Sequence, residues 1–245
     1  MEDKIRHLKE IIEDSKNIVF FGGAGVSTES GIPDFRSADG LYNQDLGREV
    51  SPEEMISHTF YVQHPLDFFE FYRDKLIFPD VEPNYCHKAL AKLEKQGKLK
   101  AVVTQNIDGL HQKAGSENVY ELHGSVLRNY CENCGAFYDI DTILSSTGVP
   151  KCDKCGGRIK PDVVLYEEML DDDVVNGAIK AIGNADTLII GGTTLIVYPA
   201  AGLIRYFRGK NLVLINKSVT PADNDADLVI HDSIGEVFRK VMEID

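Results

Sequence analysis

Residues 102–124 read VVTQNIDGLHQKAGSENVYELHG, and two short apolar runs in them each end in polar groups. Ala101-Val102-Val103 is a β-branched run without polar interruption, as suits a parallel strand covered on both faces. It ends in Gln105-Asn106-Ile107-Asp108. Val119-Tyr120-Glu121-Leu122 reads as a second short strand and delivers His123 and Gly124. In open α/β sheets ligands collect at the carboxyl ends of such strands, so an amide, a carboxylate and an imidazole are expected at one edge. Each alone also suits a turn or a cap.

Working outward, Ile18-Val19-Phe20-Phe21 is a strand that runs into Gly22-Gly23-Ala24-Gly25-Val26-Ser27-Thr28. A strand, a Gly-x-Gly turn and small residues able to open a helix form the layout that receives a pyrophosphate. Thr28 stands where a third glycine is usual, and no acidic residue closes a second strand about 20 positions on, so the dehydrogenase pattern is not met. Tight turns without ligands are common. Gly31-Ile32-Pro33-Asp34-Phe35-Arg36 follows, and two readings of it stand: an aromatic and a guanidinium bordering a dinucleotide, or a loop closing on the core.

Residues 37–80 hold aromatic positions at helical spacing and a Ser51/Glu54 cap, a helical insertion. Its Phe68, Phe69, Phe71 and Tyr72 read as core. The segment after Pro83 is an amphipathic helix ended by Gly97. Later, Val163-Val164-Leu165 reads as a strand, 171–183 as a helix, Asp186–Ile190 as a strand, Pro199–Arg208 as a helix, and Leu212–Asn216 and Ala226–Ile230 as strands before a C-terminal helix. Strands alternating with helices imply a parallel sheet.

Five cysteines occur. Cys131-x-x-Cys134 and Cys152-x-x-Cys155 lie in turn-forming contexts and match a zinc ribbon with four thiolates and no open position. The ion is then structural. A nucleic-acid-binding ribbon is the alternative, but Glu132, Asp139, Asp141 and Asp153 nearly offset the local basic residues. Cys86, His87 and His111 share no motif and read as structural.

The 245 residues carry 43% hydrophobic and 27% charged positions and a net charge of −13, ordinary for a globular protein with one large domain and an appendage. That charge argues against unaided nucleic-acid binding and suits lysine-bearing protein partners. No apolar run approaches the roughly 20 residues that cross a bilayer. The charged N-terminal helix lacks a signal peptide's apolar stretch. A cytoplasmic, monomeric chain is expected.

GAGVS (23–27), GIPDFR (31–36), TQNID (104–108), HG (123–124), the paired CxxC, GTTLIVYPAA (192–201) and IN (215–216) together resemble the sirtuins, the NAD-dependent protein-lysine deacylases, in that family's order along almost the whole chain. The resemblance implies a Rossmann-like parallel-sheet large domain (1–36, 81–124 and 163–245) and a small domain made of a helical module (37–80) and a zinc module (125–162), with NAD and an acyl-lysine peptide meeting between them. It implies catalytic roles for His123, as base on the nicotinamide ribose, Asn106 and Asp108. Gln105 and Ile107 would join these two around the ribose and the carboxamide, Ala24, Thr28, Phe35 and Arg36 would lie along the pyrophosphate and nicotinamide pocket, and Thr193, Thr194, Asn216 and Ile234 on the adenosine side. A neutral imidazole can take a ribose hydroxyl proton, and zinc has no part in that step.

Three departures from the family pattern stand out. Thr194 replaces a serine. Tyr166-Glu167-Glu168 stands for Phe-Gly-Glu, which preserves a backbone grip on a peptide unless a positive φ is needed there. Tyr72-Arg73-Asp74-Lys75 stands where acidic-acyl enzymes carry Tyr-x-x-Arg, which favours acetyl and other neutral acyl groups. A mono-ADP-ribosyltransferase on the same NAD pocket and a non-catalytic NAD-sensing module are the alternatives.

Overall fold

The structure, a computed structural model, describes residues 1–35, 37, 40–43 and 50–244. Arg36 lies outside the described residues. The amphipathic α1 (Glu2–Asp14) buries Leu8, Ile11 and Ile12 and leads into β1 (Ile18–Gly22), buried at every position. Three helices follow in the insertion, α2 (Pro52–Met55), α3 (His58–Gln63) and α4 (Pro65–Lys75). Then come α5 (Tyr85–Lys95), β2 (Leu99–Thr104), α6 (Leu110–Lys113) and β3 (Val119–Glu121). The cysteine segment contributes β4 (Gly124–Cys131), β5 (Phe137–Tyr138), α7 (Ile140–Ser145) and β6 (Ile159–Val163). The chain closes with α8 (Asp172–Gly183), β7 (Thr187–Gly191), β8 (Asn211–Ile215), β9 (Leu228–Ile230) and α9 (Ile234–Met242).

Six strands form a parallel sheet in the order β3-β2-β1-β7-β8-β9. From β1 the chain runs outward to β2 and β3, then returns to the other side of β1 as β7. The switch point therefore falls between β1 and β7, where doubly wound sheets open a crevice. The register puts Glu121, Thr104, Gly22, Gly191, Ile215 and Ile230 in one row at the carboxyl edge. Whatever follows each strand is thus presented along a single line.

One face of the sheet packs on α1, α5 and α9, and the other on α8 and the segment after β7. A third cluster joins the insertion to the cysteine segment: Met55, Tyr61, Phe68, Phe69 and Tyr72 pack with Val126, Ile143, Ile159 and Val163. Arg158 lays its guanidinium 4.3 Å over the Tyr61 ring. The Asn84 side chain caps α5 in a box closed by His87. The buried His87 and His111 rings lie 4.7 Å apart, and burial holds both imidazoles below the ordinary value, His87 at about 4. Both are neutral core residues.

Three expectations are corrected. Val163 ends β6, which pairs antiparallel with β4 in the order β5-β4-β6, so 163–165 adds no strand to the large sheet. The alternating burial of Ile159, Pro161 and Val163 is that of a half-covered antiparallel strand. Residues Ala200–Tyr206 form a 3-10 helix; over seven residues, i+3 and i+4 spacing are hard to tell apart. The glycine turn opens no α-helix but two 3-10 turns, Ala24–Val26 and Thr28–Ser30. Gly31, at φ 93, and the Ile32-Pro33 bond that follows it stop the helix.

Candidate active site

The two strand ends flanking the switch point interlock. Gly25 donates its N–H to Gly192 O at 2.8 Å, and Gly23 donates to Gly191 O at 3.3 Å. A Cβ on Gly192, which has φ 60, would come within 2.3 Å of Val26 N, and one on Gly25 within 2.9 Å of Gly192 Cα. Only glycine allows this approach. Ala24 and Thr28 are half-buried on the same turn, with the Thr28 hydroxyl donating to Gly25 O at 3.0 Å.

Beyond β2, Gln105 donates from Nε2 to Thr193 Oγ1 at 3.1 Å, tying the two halves of the sheet edge. Asn106 Nδ2 donates to Ser27 Oγ at 3.0 Å, and Ser27 in turn donates to Asp108 Oδ2 at 2.7 Å. Asp108 Oδ1 accepts from Leu110 N at 2.9 Å. Burial pushes the Asp108 carboxyl upward, and these donors oppose the shift. Ile107 is half-buried against the small core. Ser27 escaped the sequence reading: a serine inside a glycine-rich turn carries no spacing signal, and only the fold shows it linking two side chains some 80 positions away.

His123 Nδ1 lies 2.9 Å from Gln105 O. A carbonyl can only accept, so Nδ1 carries the proton and the neutral imidazole keeps its lone pair on Nε2. Burial lowers its pKa from the ordinary 6.5, and the Gln105 carbonyl opposes part of that shift.

Toward the far edge, Thr193 is buried and accepts from Gln105 and from Leu195 N, while Thr194 is exposed. Asn216 follows β8, its N–H bonded to Ile230 O at 3.1 Å. Ile234 reaches the same end of the sheet, but its side chain is buried in the core. Phe35 sits half-buried, its ring 5.3 Å from Tyr42.

Across the small sheet the four cysteine sulfurs lie within 4.8 Å of one another. The Cys131–Cys155 pair is 3.4 Å apart and Cys134–Cys152 3.6 Å. Zinc–sulfur bonds of about 2.3 Å in a tetrahedron call for sulfurs about 3.8 Å apart, so the four thiolates fit one zinc ion with no position left open. Tyr138 donates its hydroxyl to Cys152 Sγ at 3.0 Å.

Glu167 is one of three non-glycine residues with positive φ among those described, at 75°. The left-handed turn is thus in use at this position, with a charged residue in place of the family's glycine.

A parallel sheet with glycines interlocked at its switch point, beside a four-thiolate module, defines a dinucleotide-using α/β enzyme with a structural metal. The Sir2 family model matches residues 23–199, and the chain belongs to that family. A protein of Clostridium perfringens (strain 13 / Type A) named NAD-dependent protein deacetylase is 70% identical over 244 residues, spanning 99% of this chain and 100% of that one. One of the same name from Staphylococcus aureus (strain Mu50 / ATCC 700699) is 46% identical over 242 residues, 99% of each chain. The solved structure described as "Sir2-p53 peptide-NAD+" superposes with a TM-score of 0.85 at 40% identity, covering 98% of this chain and 97% of that one. Another, described as "Structural Basis for the Mechanism and Regulation of Sir2 Enzymes", gives a TM-score of 0.88 at 41% identity over 99% and 98%. At such identity over the full length of both chains, the activity is that of an NAD-dependent protein deacetylase.

Proposed function

We propose that His123 is the general base of this deacetylase and that Gln105, Asn106, Ile107 and Asp108 enclose the nicotinamide ribose and carboxamide. One observation carries the reading: the Gln105 carbonyl fixes the His123 tautomer, so the basic Nε2 is the ring nitrogen left for a substrate proton. NAD fits the seam because the glycine turn and Gly192 approach closely enough to leave backbone at the crevice and because Asp108 and Asn106 are held rigid by Ser27. When bound, NAD supplies the ADP-ribosyl acceptor for the acyl group, so that the products are nicotinamide, O-acetyl-ADP-ribose and free lysine.

Within that scheme the protein's groups bind, orient and move one proton. Ala24, Thr28 and Phe35 lie along the pyrophosphate and nicotinamide pocket, a role that the motif alone assigns to Arg36, while Thr193, Thr194, Asn216 and Ile234 take the adenosine side. Asp108 accepts hydrogen bonds from a carboxamide. His123 receives a ribose hydroxyl proton at Nε2, and the charge that develops is shared through Nδ1–H with Gln105 O. The acyl-lysine peptide lies beside the segment that follows β6, where Val164 N donates to His123 O at 3.0 Å. The same reading divides the chain into a large domain of 1–36, 81–124 and 163–245 and a small one of 37–80 and 125–162, supported by the core that the two inserted segments share.

Incubation with NAD and an acetylated peptide tests the scheme. Free lysine and O-acetyl-ADP-ribose are expected; an ADP-ribosylated acceptor in their place overturns it. The lowered pKa of His123 adds a pH signature. The neutral form is the active one, so kcat/KM falls on the acid side as the imidazole protonates, with a midpoint below the ordinary 6.5. An acid limb centred above 6.5 excludes this histidine as the base.

Neutral acyl groups are the proposed substrates. Tyr72 is wholly buried, stacked 5.7 Å from Phe68, and Lys75 is engaged with Asp74 at 3.0 Å, so neither is set to receive a second carboxylate. On one peptide, succinyl-lysine should show a kcat/KM about tenfold or more below acetyl- and propionyl-lysine, as an unpaired anion entering the site requires. Equal rates refute the preference. A monomeric chain acting in the cytoplasm on proteins, without nucleic acid or membrane, completes the proposal; no described helix is long and apolar enough to cross a membrane.

A further inference from the structure

The chain leaves β6 beside His123 and turns through residues 164–168 against the helical segment. Tyr166 commits both backbone groups there: its N–H donates to Ile56 O at 3.1 Å and its carbonyl accepts from His58 N at 3.0 Å. Glu167, at φ 75, sends its carboxylate to the same place, where Oε2 accepts from Thr59 N at 2.8 Å and from Thr59 Oγ1 at 2.7 Å. Glu168 accepts from Leu165 N at 2.9 Å and from Lys160 Nζ at 3.1 Å, and pairs with His58 Nδ1 at 2.8 Å.

These bonds complete the start of α3. The first N–H groups of a helix have no partner within it. Here Tyr166 O takes that of His58, Glu167 Oε2 that of Thr59, and Ser57 Oγ that of Phe60 at 3.1 Å. The dependence runs the other way as well, because a residue with a Cβ does not rest freely at φ 75 and holds that turn only while something fixes it. Glycine would be at ease there without an anchor.

We propose that Glu167 is a positioning residue for the acyl-lysine peptide: its carboxylate, anchored on the first turn of α3, holds segment 164–168 at the height beside His123 that an extended peptide requires. The inference rests on the reading that the peptide lies along this segment. Where the family pattern uses glycine to admit the left-handed turn, this chain uses a charged strut and so couples the peptide site to the helical segment. The Thr59 hydroxyl and amide hold the Glu167 carboxyl below its usual range, so the strut stays ionised throughout neutral pH.

Steady-state kinetics with NAD and an acetyl-lysine peptide test the proposal in the full chain. Glu167→Ala removes the anchor and leaves the strained turn. Its peptide KM should rise about three- to tenfold, as expected for losing a charge-assisted pair of hydrogen bonds at an exposed position, with kcat and the KM for NAD unchanged. Glu167→Gln, which keeps an acceptor oxygen, should recover most of the affinity, and Glu167→Gly should fall between, since it loses the anchor but not the turn. Thr59→Val, which removes only the hydroxyl, should raise the peptide KM in the same direction by less. A peptide KM that stays at the wild-type value in Glu167→Ala overturns the inference. So does a lowered melting temperature with kcat and both KM values moving together, since that is what a simple helix cap would produce. Failure of the wild type to release lysine would instead overturn the reading beneath it.

Discussion

His123→Ala should lose about 10²- to 10⁴-fold in deacetylation, the usual contribution of a positioned general base, with nearly unchanged affinity for NAD and an unchanged melting temperature. Among the described residues the side chain hydrogen-bonds only to Gln105 O, and it lies half-buried at the site rather than in a core cluster, so its removal deletes a proton acceptor without opening the core. The loss should appear in kcat more than in either KM, because the proton moves only as the reaction proceeds. Full NAD-dependent turnover by this variant would remove His123 from the mechanism and turn attention to Asp108, the other titratable side chain of the cluster.

Metal removal should have the largest effect on stability. One zinc per chain is expected from the four sulfurs. Chelation, or Cys131→Ala, should lower the melting temperature by about 10 °C or more and abolish peptide turnover, because metal binding by such a module supplies most of its folding free energy. Loss of protection from amide exchange should begin in residues 124–163 and spread to α3 and α4, whose aromatic residues share a core with that segment. The parallel sheet should hold longer. A variant that keeps its zinc and its melting temperature would exclude a structural role for Cys131.

Legibility of the chain varied with how local each determinant is. Val102-Val103 and Leu188-Ile189-Ile190 announce buried parallel strands because nothing polar interrupts them, and β2 and β7 bear this out. The cysteine spacing carries the metal site because two knuckles need only a few residues each. What failed was partnership. Val163 has the composition of a strand in either sheet, and only pairing with Gly124 assigns it to the small one. Ser27 matters through Asn106 and Asp108, and the need for a positive φ at residue 167 depends on Thr59. Such relations cross between segments far apart in the chain and leave no periodicity to read.

The shared core of the two inserted segments also bears on the order in which the chain assembles. Phe68, Phe69 and Tyr72 are made early, yet the residues that cover them, among them Val126, Ile143 and Ile159, come only after β2 and β3. Contacts so distant in sequence form late, because the intervening chain must first be closed into a loop. During synthesis the aromatic face of α4 therefore waits, uncovered, until the cysteine segment emerges and takes up its metal. Because metal binding and folding of such a module are coupled, an apolar surface of this kind is exposed to aggregation until the small core has closed, a vulnerability that belongs to the nascent chain.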